Sequence, residues 1–188
     1  RDLVRSRGLG DVYKRQAKKY AGISASLVAH IKNTRTPFSI DFGVGDVIVP
    51  KQEKRKIPTQ LDDFTAPVVN TYSLETTIAE KIDAILSLME FSSRMKDYYD
   101  IYYLANKFDF GGKVLTEALK KTFENRGHAF TVEQFEQVMS FADDSAMQKK
   151  WTAFCRKIDT KTEDFNTVLK IIEAFLTEPF TAAVIDKE

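Results

Sequence analysis

Tyr72-Ser-Leu-Glu-Thr-Thr-Ile-Ala-Glu-Lys-Ile-Asp-Ala-Ile-Leu-Ser-Leu-Met89 is where this 188-residue chain changes its period. Leu74, Ile78, Ile82, Ile85, Leu86 and Met89 return every three or four positions, which gathers them on one stripe of a helix of about sixteen residues. Ser73 can cap that helix, and Glu75 sits where the N-terminal dipole favours a negative charge. Residues on the N-terminal side of this stretch alternate with a period of two, and those on its C-terminal side keep the helical period of 3.6. The order, strands first and a helical bundle after, predicts an α+β fold.

Upstream, Ile23, Ala25, Leu27, Ala29 and Ile31 alternate with Ser24, Ser26, Val28 and His30, the pattern of a half-buried strand. Asn33-Thr-Arg-Thr-Pro37 reads as a loop, and Phe38, Ile40, Phe42 and Val44 then alternate with Ser39, Asp41 and Gly43. Strands at about 22–32 and 37–44, paired as an antiparallel hairpin, are the expectation. Four of the five prolines lie between residues 37 and 67, which favours extended chain. Lys51–Lys56 reads as a charged loop, with Val68-Val69 a short strand.

Downstream, helices are expected at about 94–106, 113–125, 132–141, 146–158 and 163–176. Gly127 should stop the second of these and Thr131 should cap the third. Trp151 and Phe154 should face inward from the fourth, and Pro179 should end the last.

Composition removes several classes. No run of eighteen apolar residues exists, so no membrane span is expected, and no apolar region near the start resembles a secretory signal. One cysteine, Cys155, gives no disulfide framework, and with two histidines it cannot build the usual structural zinc site. The expectation is a soluble, cytoplasmic, reduced protein. The formal net charge of +1 conceals an asymmetry: residues 1–16 and 17–72 each carry +3, and residues 73–188 carry −5. Residues 1–16, RDLVRSRGLGDVYKRQ, lack periodicity and look like translated adapter sequence, so they are read as a non-native leader; a flexible natural arm is the alternative. The expected organisation is this leader at 1–16, a strand-rich segment at 17–72 and a helical domain at 73–188.

Three places hold residues capable of chemistry. Asp41 is on the strand face opposite Phe38, Ile40 and Phe42, where a carboxylate either meets solvent or holds a divalent cation. Lys81 falls on the flank of the apolar stripe, either snorkelling to water or aiming its ammonium into a cleft. In Arg94-Met-Lys-Asp-Tyr-Tyr-Asp-Ile-Tyr-Tyr-Leu104, Asp97 shares a face with Ile101 and Leu104 and is drawn inward, whereas Asp100 lies nearer the polar side. Arg94 with Asp97, and Lys96 with Asp100, have the spacing of helix-surface pairs.

Taken together, Ser39-Ile-Asp-Phe-Gly-Val-Gly-Asp46, Tyr72-Ser-Leu-Glu-Thr-Thr-Ile-Ala-Glu-Lys81, Ser93-Arg-Met-Lys-Asp-Tyr-Tyr-Asp-Ile101 and Ala118–Gly127 resemble the AbiEii/AbiGii nucleotidyltransferase toxin family. The resemblance spans about residues 20–160. It implies a partial polymerase-β-like nucleotidyltransferase sheet followed by a helical bundle. It also implies Mg²⁺, a nucleoside triphosphate, an acceptor such as tRNA, and a cognate antitoxin of a toxin–antitoxin or abortive-infection system. By the same resemblance, Asp41 is a metal-holding carboxylate, Lys81 meets the nucleotide phosphates and Asp97 is the acid of the last motif, with Asp100 the runner-up. The three are expected to converge on one cleft.

The family's signature, a Gly-Ser or Gly-Gly turn followed by Asp-x-Asp on a strand, is missing. The expectation is therefore the C-terminal part of a nucleotidyltransferase toxin, inactive as it stands. The alternative is a non-catalytic helical module that binds protein or RNA, with the basic 51–56 segment touching phosphates.

Overall fold

Alternation in the first half yields strands. The computed structural model describes residues 12–14, for the backbone only, 23–158 and 162–185. Strands β1 (Val12–Lys14), β2 (Ile23–Ile31) and β3 (Thr34–Phe42) form an antiparallel sheet in that order. The leader expected at 1–16 lies outside the described residues except at Val12–Lys14, which pairs with Ile23–Ala25.

The β2–β3 hairpin is tighter than the sequence suggests. Ile31 pairs with Thr34, so the turn is only Lys32-Asn33, with Lys32 at φ 52°. Thr34–Pro37 joins the ladder instead of looping. Pro37 is tolerated because β3 is at the sheet edge and faces Val28, three pairs along from the closing pair. By the alternation of an antiparallel ladder that is a non-hydrogen-bonded position, where no ladder N–H is needed.

A boundary between two compact units falls between Asp46 and Val47. In the second unit, β4 (Glu53–Lys56) pairs antiparallel with β5 (Val68–Thr71), so the charged run expected as a loop is mostly a strand. It can be one because a two-stranded ribbon leaves both faces to water, and Lys54 and Lys56 stay exposed.

Six α-helices complete the described chain: α1 (Leu74–Leu88), α2 (Met95–Lys107), α3 (Gly112–Arg126), α4 (Val132–Met139), α5 (Ser145–Ile158) and α6 (Phe165–Ile185). The expected caps are in place. Ser73 accepts from the Thr76 N–H at 3.1 Å, Thr131 and Gln134 form a reciprocal capping box, and Gly127 takes the left-handed conformation, φ 67°, that closes α3. The segment ahead of α1 is fastened to it, since the Ser73 hydroxyl donates to the Val49 carbonyl at 2.7 Å and the Val49 N–H donates to Thr76 Oγ1 at 2.8 Å.

Pro179 does not end α6, which continues to Ile185. An internal proline costs a helix about 3 kcal/mol. Burial of Leu176, Pro179, Phe180 and Ala183 outweighs this, with the Phe180 ring stacked 4.7 Å from Phe135 and set edge-on to Phe123. The core is otherwise the predicted stripe of α1 packed against α2 and α3, which in turn pack on α6, with Ile78, Ile82, Tyr98, Ile101, Leu119 and Ile172 fully enclosed.

Candidate functional site

Lys81 leaves the flank of the α1 stripe and reaches α2 instead of water. Its ammonium donates to Asp97 Oδ1 at 3.1 Å and to Asp100 Oδ2 at 2.5 Å. Both helix-surface pairs expected from spacing also form: Arg94 Nε donates to Asp97 Oδ2, and Lys96 Nζ donates to Asp100 Oδ2 at 2.5 Å. Three cations therefore share two carboxylates, and the positive charge is in excess.

Burial grades the members of this network. The Asp97 side chain is 5% exposed, those of Lys81 and Asp100 are 18% and 20%, and those of Arg94 and Lys96 are 55% and 71%. Asp97 is the inward carboxylate, as its helix face predicts, and both its oxygens are engaged. Asp100 uses only Oδ2, so Oδ1 is without a partner among the described residues. The hydrogen bond to Asp97 raises the Arg94 pKa above its ordinary value, against desolvation and the repulsion of Arg126. Burial pushes the neighbouring Tyr98 phenol upward as well, and its hydroxyl has no hydrogen-bond partner among the described residues.

The turn carrying Arg94 is fixed from outside. Lys150 of α5 donates to the carbonyls of Glu90 and Ser92 at 3.0 and 2.9 Å, and the Arg94 N–H donates to Ser92 Oγ at 3.1 Å. Lys150 has no signal in the sequence, because its partners are backbone carbonyls nearly sixty residues away.

A second cluster lies on the same helix. Asp83, which its angle on the helical wheel places outside the apolar stripe, is buried. The reason is that α3 covers this side of α1: Arg126 Nη1 donates to Asp83 Oδ2 at 2.8 Å, and His128 Nδ1 lies 2.7 Å from Asp83 Oδ1. Arg126 Nη2 also meets Glu80 at 3.2 Å, one residue before Lys81. A buried carboxylate must be paired, and Arg126 and His128, on either side of the Gly127 stop signal, are the partners that the helical period of α1 cannot show.

Asp41 belongs to the other compact unit. It is exposed, directly opposite Ser24, on the face that also carries Ser26 and Ser39. Among the described residues no group of three or more His, Cys, Asp or Glu side chains could hold a metal ion. Asp97 and Asp100 are already neutralised by cations, so the described donors do not fit a complete Mg²⁺ site, which takes six oxygens. A cleft of about 430 Å³, lined by residues of α4, α6 and the turn after α4, shares no residue with the Lys81 network. No described helix is long and apolar enough to cross a membrane.

Comparison with known proteins places the chain in a family. No characterised protein and no solved structure matches the chain. The model of the nucleotidyl transferase AbiEii toxin, type IV toxin–antitoxin system, matches residues 3–176. That span contains every site residue described above and reaches beyond the 20–160 of the motif resemblance. The chain belongs to the AbiEii nucleotidyltransferase toxin family.

Proposed function

We propose that this protein is the nucleotide-handling part of a nucleotidyltransferase toxin that transfers a nucleotide from a nucleoside triphosphate to tRNA, and that the 188-residue chain is itself inactive. The observation that carries the reading is the convergence of Lys81 with Asp97 and Asp100, side chains of two helices, in a chain of this family. Lys81 would meet the nucleotide phosphates, since a fixed, half-buried ammonium stabilises polyphosphate charge without reorganising. Asp97 would hold that ammonium in place. Asp41 is the proposed metal-binding carboxylate. Enzymes of this chemistry use Mg²⁺ to align the triphosphate, and the described residues do not supply a complete donor set for it. Lys54 and Lys56, side by side on one face of β4, are the proposed RNA contact, giving weak, sequence-indifferent binding that falls as salt rises. A cognate antitoxin is the proposed protein partner.

The test supplies labelled nucleoside triphosphate, Mg²⁺ and tRNA. The 188-residue chain should transfer nothing. Joining an N-terminal segment that bears Gly-Ser and Asp-x-Asp should restore transfer, and Lys81→Ala or Asp97→Ala should abolish it again. Transfer by the chain alone would overturn the proposed inactivity. A restored chain indifferent to both substitutions would overturn the site.

A second reading, a non-catalytic binding module, is favoured by one observation: both carboxylates of the network are occupied by cations. Salt-sensitive RNA binding that survives Lys81→Ala, with no transfer in the restored chain, would select it.

A further inference from the structure

Arg94 is held in a way that leaves the strongest part of its side chain unused. A guanidinium beside a carboxylate ordinarily binds through two parallel N–H donors. Here Asp97 Oδ1 is taken by Lys81, and Arg94 reaches only Oδ2, through Nε. Its two Nη groups have no partner among the described residues, and the side chain is 55% exposed. The guanidinium is thus anchored at its base on a buried carboxylate and open at its tip. Lys81 is anchored on the other oxygen of the same carboxylate, so one Asp97 side chain sets two cations side by side.

The network itself carries excess positive charge, three cations to two carboxylates. Like charges kept close together are relieved by an anion. An outward fork of N–H donors fits the geometry of a phosphoryl group, which accepts two parallel hydrogen bonds from one guanidinium.

We propose that Arg94 is a second phosphate-binding residue, its Nη groups taking a phosphoryl oxygen pair next to the one held by Lys81, with Asp97 as the positioning residue for both. The inference rests on the reading of the Lys81 network as a nucleotide site and extends it to a residue that the motif resemblance did not assign. A phosphoryl group reaches this fork from either of two sources, the polyphosphate of a nucleotide or the backbone of the acceptor RNA.

The experiment titrates the full 188-residue chain with inorganic tripolyphosphate and, separately, with a single-stranded RNA lacking terminal phosphates, followed by calorimetry. Arg94→Lys keeps the charge and removes the fork, and Arg94→Gln removes both. Lys121→Gln, an exposed cation of α3 paired with Glu124, is the control. Tripolyphosphate affinity should fall about ten-fold in Arg94→Lys, further in Arg94→Gln, and less than about two-fold in Lys121→Gln. The melting temperature should hold in Arg94→Lys, which keeps a cation for the buried Asp97, and fall in Arg94→Gln, which leaves Asp97 Oδ2 unpaired. Loss confined to tripolyphosphate assigns the fork to the nucleotide, and loss confined to RNA assigns it to the acceptor; both support an oxyanion fork. Unchanged affinity for both probes in Arg94→Lys overturns it, as does a wild-type chain that binds neither. If Lys81→Gln abolishes tripolyphosphate binding while Arg94→Lys leaves the affinity for both probes unchanged, Arg94 is excluded and the reading of Lys81 stands.

Discussion

Lys81 Nζ lies 2.5 Å from Asp100 Oδ2, across the α1–α2 interface and nineteen residues along the chain. The contact turns a lysine that would otherwise snorkel into a fixed charge, because the half-buried ammonium gains more from two carboxylates than from partial hydration. Asp97 supplies the second of these, at 3.1 Å.

Members of this network should differ in energetic weight according to burial. Asp97→Asn leaves Lys81 and Arg94 facing a neutral amide in a poorly solvated place, and should cost about 2–3 kcal/mol in urea denaturation. Lys96→Gln removes a 71%-exposed partner and should cost less than about 0.5 kcal/mol. Equal losses in the two variants would show that burial does not set the ranking.

Tyr98 carries a fully buried hydroxyl with no partner among the described residues. Removing an unsatisfied polar atom while keeping the ring should not destabilise. Tyr98→Phe is expected to leave stability unchanged or raise it by up to about 1 kcal/mol, with the edge-on contact to Phe165 retained. A loss larger than that would mean that the hydroxyl is hydrogen-bonded in solution.

Asp164 accepts from the Thr167 N–H at 2.9 Å and from its hydroxyl at 3.0 Å, at the start of α6. These bonds favour the carboxylate and hold its pKa below the ordinary 3.8, the backbone donor contributing most. A depressed folded-state pKa stabilises above the unfolded value and loses that contribution as pH falls through the folded one. The stability advantage of wild type over Asp164→Asn should therefore be constant near neutrality and shrink below 3.8. Stability measured against pH for the two proteins checks this, and parallel curves throughout would contradict it.

Phe180 holds the part of α6 that lies beyond its internal proline. Phe180→Ala should cost about 3–5 kcal/mol, because the ring fills the space between Phe135 and Phe123. Hydrogen exchange should show the last turns of α6 opening first, since Pro179 has already removed one backbone bond there. A uniform loss of protection along α6 would argue that the proline does not weaken this end.

The change of period at Tyr72, the caps at Ser73 and Thr131 and the stop at Gly127 were all legible in the sequence. Each depends on residues within about a turn of one another, and local hydrogen bonds and apolar spacing decide them. The β2–β3 hairpin was legible for the same reason, with only its turn length misjudged, since Pro37 reads as a strand breaker until the strand is known to be an edge. The inward face of Asp97 and its pairing with Arg94 were also local, at i,i+3.

What the tertiary structure decided depends on partners from distant segments. The burial of Asp83 follows from Arg126 and His128 arriving over α1, more than forty residues away. The persistence of α6 through Pro179 follows from rings on α3 and α4. The destination of the Lys81 ammonium, left open between water and a cleft by its angle on the helical wheel, was settled by the packing of α2. Helical period fixes the direction in which a side chain leaves its own element, and only the approach of a second element determines which charge it meets.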